Sequence, residues 1–213
     1  MNNNVVKNIV ITNALETLEI NEDCQLTIFN SELNNLTIKA HKKVAVMIND
    51  FRLIDSSKTN ITLIADEEAS ISYHHAFINC NKYNLKLTAK YLGTKANITL
   101  NIHGLNDSGQ ANLQIDGIIG PDNYDNNLLE NVKLINLNEG KATVVPNMLI
   151  SNARVIANHN VAISNISKDE CHYLMSKGLT NIAAKKLILN GFLINAMTDK
   201  NLITKIKELI NGR

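Results

Sequence analysis

The 213-residue sequence contains no tryptophan, and its aromatic content is only 4%. So few aromatic side chains leave little on which nucleic-acid bases could stack. Charge of one sign is also missing. The chain has 21 lysines and arginines against 20 aspartates and glutamates, for a net charge of +1. A phosphate-backbone partner is therefore not implied. Cysteine is scarce: Cys24, Cys80 and Cys171 are odd in number, widely spaced and form no CxxC pair. That pattern supports neither a disulfide framework nor a zinc ribbon and suits a reducing compartment. No apolar run approaches the ~18 residues that cross a bilayer. The opening MNNNVVKNIVITN lacks the apolar core and cleavage site of a signal peptide. Together these absences predict a soluble protein of the cytoplasm or a plastid stroma, with no nucleic-acid or membrane partner.

What is present is aliphatic. Apolar residues make up 45% of the chain, so its core must be built from Ile, Leu, Val and Ala. From Val5 to about Ile166 the apolar period is two. Ile61, Leu63 and Ala65 alternate with polar residues, as do Leu85, Leu87 and Ala89, then Ile98, Leu100 and Ile102. This is the pattern of half-buried strands. Turn formers separate them at Asn106–Gly109, Gly120–Asn123 and Asn138–Gly140. A tetrad of Asn, aliphatic, polar, aliphatic begins at Asn35, Asn60, Asn84, Asn97, Asn112 and Asn131. Asparagine tolerates the left-handed backbone of a sharp corner, so each tetrad is expected to enter a strand from a corner. Many short strands with little helix between them suit a β-solenoid with uneven rungs, or a sandwich.

After Ile166 the period changes. Ser167-Lys168-Asp169-Glu170 has the form of a capping box, with Ile166 and Cys171 placed as a staple. The first helix is expected to stop at Gly178. A second starts near Thr180, with Ile182, Ala183, Leu187, Leu189 or Ile188, and Phe192 at helical spacings. Gly191 inside it suggests close packing. A third begins near Thr198-Asp199, with Leu202, Ile203, Ile206, Leu209 and Ile210 turned inward. The lysines 185, 186, 200, 205 and 207 read as solvated helix faces. The domain reading is a β body over residues 1–166 and a helical C-terminal domain over 167–213.

No nucleophile elbow, phosphate-binding glycine loop or HExxH appears, so no catalytic residue is assigned. Asp66-Glu67-Glu68 reads as a solvated turn. His74 and His75 are adjacent, so on a strand they point to opposite faces and cannot share a metal; the pair reads as a surface turn. His159 sits between Asn158 and Asn160 on an alternating run with Ala157 and Val161. On pattern alone it is a hydrogen-bonded structural residue.

Several segments then carry a resemblance. They are Pro146-Asn147-Met148-Leu149-Ile150, Val155 to Ala162 (VIANHNVA), Asp169 to Leu179 (DECHYLMSKGL) and Ala183 to Leu193 (AAKKLILNGFL). In this order they resemble the P-x-L strand, histidine strand, capped helix and G-F helix of the SufB/SufD family of iron–sulfur cluster assembly scaffolds. The chain is more similar to the SufD side. The resemblance is specific over roughly Leu134 to Leu193; upstream it is one of strand pattern only. It implies a right-handed parallel β-helix followed by a small helical domain. It also implies a non-catalytic subunit that pairs with a SufB-like chain and docks a SufC-like ABC ATPase on its helices. Tyr173, Leu174, Gly178 and Phe192 are the docking positions it suggests.

Against the family pattern, Ala157 stands where SufD has cysteine. Asn158 and Asn160 stand where SufB has glutamates, and Leu137 to Ala142 lacks the SufB cysteine. His159 is retained, and the resemblance makes it a candidate iron ligand at the partner interface. No cofactor is expected to be held stably by this chain alone, only a transient iron–sulfur cluster at that interface. Two alternatives stay open: a homodimeric scaffold of the same type, and a free-standing β-solenoid that binds or cleaves polysaccharide. The latter would need clustered charges and exposed aromatics on one face.

Overall fold

A computed structural model of the protein describes residues 7–11, 17–29 and 34–211. Among these, the strands in chain order are β1 (Lys7–Ile11), β2 (Thr17–Ile20), β3 (Cys24–Phe29), β4 (Asn35–Ala40), β5 (Ala45–Ala65), β6 (Ser70–Tyr91), β7 (Asn97–Asp107), β8 (Gln110–Ile119), β9 (Asn126–Leu137), β10 (Lys141–Ile150) and β11 (Val155–Ser164). Three helices follow: α1 (Lys168–Ser176), α2 (Asn181–Ile194) and α3 (Lys200–Asn211).

All strand pairings are parallel and connect successive coils of a β-solenoid of about five turns. One face is formed by β1, β3, the first halves of β5 and β6, then β7, β9 and β11. The other is formed by β2, β4, the second halves of β5 and β6, then β8 and β10. β5 crosses between faces at a register shift flanked by Ile54 and Ser56. The register Cys24, Val46, Ile71, Ile98, Leu128, Ala157 gives rungs of 22, 25, 27, 30 and 29 residues. Uneven rungs explain why a strict sequence repeat is absent.

The corners are not where the asparagine tetrads suggested. Among the described residues, none of the tetrad asparagines has a positive φ. The left-handed non-glycine residues are Lys43, Glu68, Lys95, Ser108, Asp125 and Asn138. Four of them precede a buried residue that opens the next coil: Val44, Ala69, Ala96 and Asn126. The tetrad asparagines instead lie in strands, and most of them bond to an asparagine of an adjacent coil. Asn60 donates to Asn35 at 2.8 Å, Asn112 to Asn84 at 3.0 Å, and Asn160 to Asn131 at 3.0 Å.

Two apolar clusters hold the molecule. The first fills the solenoid, with Leu26, Ile48, Leu63, Leu87, Leu100 and Leu113 buried in it. The second lies outside the first face. There Phe51, Ala76, Ile78, Leu105 and Ile135 pack against Leu193, Met197, Leu202 and Ile206 of the helical segment. Thr198 and Asp199 donate backbone N–H to Asn49 Oδ1, and the Thr27 hydroxyl donates to Asp199 at 2.6 Å. The His103 ring stacks on Phe192 at 4.7 Å, and its Nδ1 lies 2.6 Å from the Phe192 carbonyl oxygen.

The helix boundaries follow their chemistry. Ser167 Oγ accepts from the Glu170 N–H, and Thr180 Oγ1 accepts from Ala183. Gly178, at φ +94°, ends α1, with its N–H bonded to Met175 O and that of Leu179 to Leu174 O. Three expectations fail. Gly191 marks no close packing, because a Cβ there would meet nothing within 4 Å. Ile182 and Leu187 are 80% and 52% exposed, although their spacing suggested an inward face. α2 is apolar nearly all round, so helical spacing alone did not identify its buried side. His74 and His75 are not a surface turn: both lie within β6, and His75 is fully buried in the solenoid.

Candidate functional site

The last coil has nothing stacked on it. β10 pairs only with β8 and β11 only with β9, so each presents an unpaired edge among the described residues. Pro146 lies in the middle of β10, where the lack of an N–H is tolerated on an edge strand. Inward residues of this coil, Ala142, Val144, Met148, Val155 and Ala157, pack down on the core cluster. Around them Val145, Leu149, Ile150, Ile156, Val161 and Ile163 remain exposed. A groove of about 510 Å³ opens here, with His159, Val161, Val144, Pro146 and Val132 among its lining. Exposed aliphatic groups beside unpaired strand edges mark an interaction surface rather than a finished end.

His159 occupies this open end. It shares strand parity with Val155 and Ala157, so its side chain is on the inner side of β11. The structure thus places it at the mouth of the solenoid, exposed. Directly beneath it in parallel register is Glu130 of β9. The inward column runs Leu26, Ile48, Tyr73, Leu100, Glu130 and His159. Four coils of apolar or aromatic side chains are therefore followed by a carboxylate and an imidazole.

Glu130 is completely buried, and neither carboxylate oxygen has a hydrogen-bond partner. Gly117 across the interior makes room for it: a Cβ at Gly117 would lie 3.3 Å from Glu130 Oε1 and 2.3 Å from Leu128 Cδ2. Burial, and then the nearby Asp116, push the Glu130 carboxyl up to about 7. Asp116 itself is satisfied, by Gln114 at 3.0 Å and Asn147 at 2.8 Å. Sequence reading missed Glu130. The available sign was a charged residue in the inward parity of Leu128, Val132 and Leu134.

Tyr173, Leu174 and Gly178 lie on α1 and its C-terminal stop, away from the solenoid interior. Tyr173 is 63% exposed, Leu174 half-buried and Gly178 exposed. Phe192 is not grouped with them; it is half-buried against His103 on the sheet. A groove of about 610 Å³ separates α1 and α2, lined by Leu137, Ile166, Cys171, His172, Met175 and Leu189 among others. Together with exposed Tyr173, Met175, Ile182 and Leu187 it gives the two helices an uncovered apolar side.

The donor set at the open end fits a single ligand rather than a cluster. Cys24 is buried in the core of an early coil, Cys80 is exposed within β6 and Cys171 is buried in α1. None reaches β10 or β11. Among the described residues, no three His, Cys, Asp or Glu side chains are grouped to hold a metal ion. No described helix is long and apolar enough to cross a membrane.

Residues 123–192 match the family described as SUF system FeS cluster assembly, SufBD core domain. No curated protein matches the chain. The matched segment covers about a third of the sequence and runs from the entry to β9, through the open coil and α1, to Phe192 in α2. A parallel β-solenoid with that match supports the SufB/SufD family and, with it, a scaffold of iron–sulfur cluster assembly.

Proposed function

We propose that the chain is a SufD-like, non-catalytic subunit of a SUF complex, working in the cytoplasm or a plastid stroma. Its open coil pairs with a SufB-like subunit, and its α1–α2 side docks a SufC-like ABC ATPase. The observation that carries this is the coincidence of the matched segment with the uncovered surfaces. Residues 123–192 contain β10, β11 and His159 and the exposed side chains of α1 and α2. Unpaired edges accept a partner strand through backbone bonds, and the aliphatic rim supplies burial. Tyr173, Leu174 and Gly178 are the ATPase-facing positions. Phe192 contributes by holding α2 on the sheet through His103.

In this reading the cluster is cargo. The chain brings one imidazole, His159, to a partner interface where the thiolates come from the SufB-like subunit. The test is co-purification of the tagged chain with its organism's SufB-like and SufC-like subunits, expressed together, as wild type and as His159→Ala. A ternary complex with iron and sulfide that His159→Ala loses, assembly being intact, supports the reading. Partners that never co-purify sink it.

A second reading is a homodimer, favoured by the same uncovered end. A two-fold pair would bring two open coils together and close the assembly. Light scattering of the chain alone distinguishes the two. The polysaccharide reading receives no such support. Among the described residues the exposed aromatics are Tyr124, near Arg154 at the open-end loop, and Tyr173 on α1, and they form no platform along a sheet face.

A further inference from the structure

We propose that the outer side of the second solenoid face binds an extended acidic segment of a partner protein. The helical layer packs on the first face. On the second, the outward positions of β2, β4, the later halves of β5 and β6, β8 and β10 stay in solvent. They carry six lysines, Lys39, Lys58, Lys82, Lys86, Lys90 and Lys141, against two carboxylates, Glu19 and Asp116. A net charge of +1 for the whole chain conceals this patch. The lysines come together only through the register of successive coils. Both carboxylates are already engaged. Glu19 lies 2.9 Å from His41 Nε2 and 3.9 Å from Lys39 Nζ. Asp116 accepts from Gln114 and Asn147 and lies 3.7 Å from Lys86 Nζ. Lys58, Lys82, Lys90 and Lys141 are exposed and pair with no carboxylate among the described residues.

A groove of about 510 Å³ crosses this face. It runs from Lys58 of β5, past Asn84 and Lys86 of β6 and Asn112 of β8, to Thr143 and Val145 of β10. Lys58 is in register with Asn84, so Lys58 and Lys86 are rooted about 8 Å apart on neighbouring coils. Asn112 donates to Asn84 Oδ1 at 3.0 Å, which leaves the Asn84 amide N–H groups to donate beside both lysines. Two ammonium groups with an amide donor between them suit carboxylates, through charge-assisted hydrogen bonds. An extended chain sets every second side chain about 6.8 Å apart, close to the lysine spacing. No aromatic side chain lines the groove, so nucleic-acid bases would have nothing to stack on. At the β10 end exposed Val145 continues into the aliphatic rim of the open coil. Charge giving way to aliphatic surface fits a polypeptide. The groove lies apart from the α1–α2 side, and its reading does not rest on the scaffold assignment.

The test titrates the full chain with fluorescein-labelled hexaglutamate at about 0.1 M salt, where the screening length of about 10 Å still spans neighbouring lysines. The expected result is saturable binding that Lys58→Gln/Lys86→Gln weakens at least tenfold. About 1 M salt, with a screening length of about 3 Å, should abolish it. Lys185→Gln/Lys207→Gln removes the same charge from exposed positions on α2 and α3 and should leave affinity within about twofold. All four positions are exposed, so the variants keep the fold. Equal losses in the two double variants overturn the proposal, because binding then follows net charge and not the groove. Absence of saturable binding by the parent chain overturns it too. So does a labelled oligothymidylate of about ten residues that binds more tightly than hexaglutamate through the same two lysines, since the partner is then a nucleic acid. Co-purification with the scaffold partners is a separate readout and stands or falls independently of these outcomes.

Discussion

Glu130 and His75 are both sealed inside the solenoid, and they respond to pH in opposite senses. The folded chain holds the Glu130 proton more tightly than the unfolded chain does, with an affinity raised from 4.5 to about 7. Between those values the folded state binds more protons, so stability falls as pH rises through that window. A shift of this size corresponds to about 3 kcal/mol. Glu130→Gln should be near neutral at pH 5 and stabilising by about 1–3 kcal/mol at pH 8. Denaturant melts at the two values read this; equal effects at both would mean the carboxyl is not perturbed.

His75 works the other way. Burial pushes its imidazole down to about 4, against the pull of Asp50, so it is neutral in the fold. The unfolded chain then binds more protons between about 4 and 6.5, and stability rises with pH there. The two slopes offset each other in the wild type from about 4.5 to 6.5. Glu130→Gln should uncover the rise due to His75. Asp50 is the anchor beside it. Burial opposes its charge, but Arg52, His75 and the Tyr73 hydroxyl hold its carboxyl below the usual range, with Arg52 Nε at 2.9 Å and Tyr73 OH at 2.8 Å.

At the scale of strands and helices, two glycines make a contrast. Gly104 faces inward between Phe77 and Leu134, and a Cβ there would lie 2.2 Å from Phe77 Cζ. Gly104→Ala should cost about 1–3 kcal/mol through overpacking. Gly191 has open space around it on exposed α2, so Gly191→Ala should stabilise by about 0.5–1 kcal/mol. Thermal melts of both variants check the sign. The strands themselves were legible in the alternation: Ile61, Leu63, Ala65, Ile98, Leu100 and Ile102 are all buried as their parity required. So were the helix caps Ser167 and Thr180 and the stop at Gly178. Some corners were legible as well: turns or bends lie at 67–68, 108–109, 121–122 and 138–139, where the turn formers and the acidic run placed them. The corners at Lys43 and Lys95 were not, because a lysine occupies a left-handed position where a tetrad asparagine was expected. Glu130 was hidden for another reason. One carboxylate in an inward position has meaning only once the register with His159 is known, and register is a long-range property.

Across the whole molecule, stability should be graded along the solenoid axis. Inner coils are covered on both sides, whereas β10 and β11 are covered on one. In a stacked architecture each coil draws its stability from its neighbours. Hydrogen exchange should therefore be fastest in β11 and slowest in β6 to β8, and a partner bound to the open end should slow β10 and β11 selectively. Uniform protection along the axis, or a partner that protects only the helices, would argue against the open end as the pairing surface.

The helical layer has a consequence for synthesis. Thr198 reaches back to Asn49, 149 residues earlier, and the segment after it covers Phe51, Ala76, Ile78, Leu105 and Ile135 on the sheet exterior. A coil can close once its roughly 30 following residues exist, but its outer apolar stripe has no cover until the final helices emerge. At about 5–20 residues per second, the oldest part of that stripe waits roughly 8–30 s on the ribosome. A nascent solenoid of this chain is thus a folded body with a bare greasy flank, in need of a chaperone or quick completion.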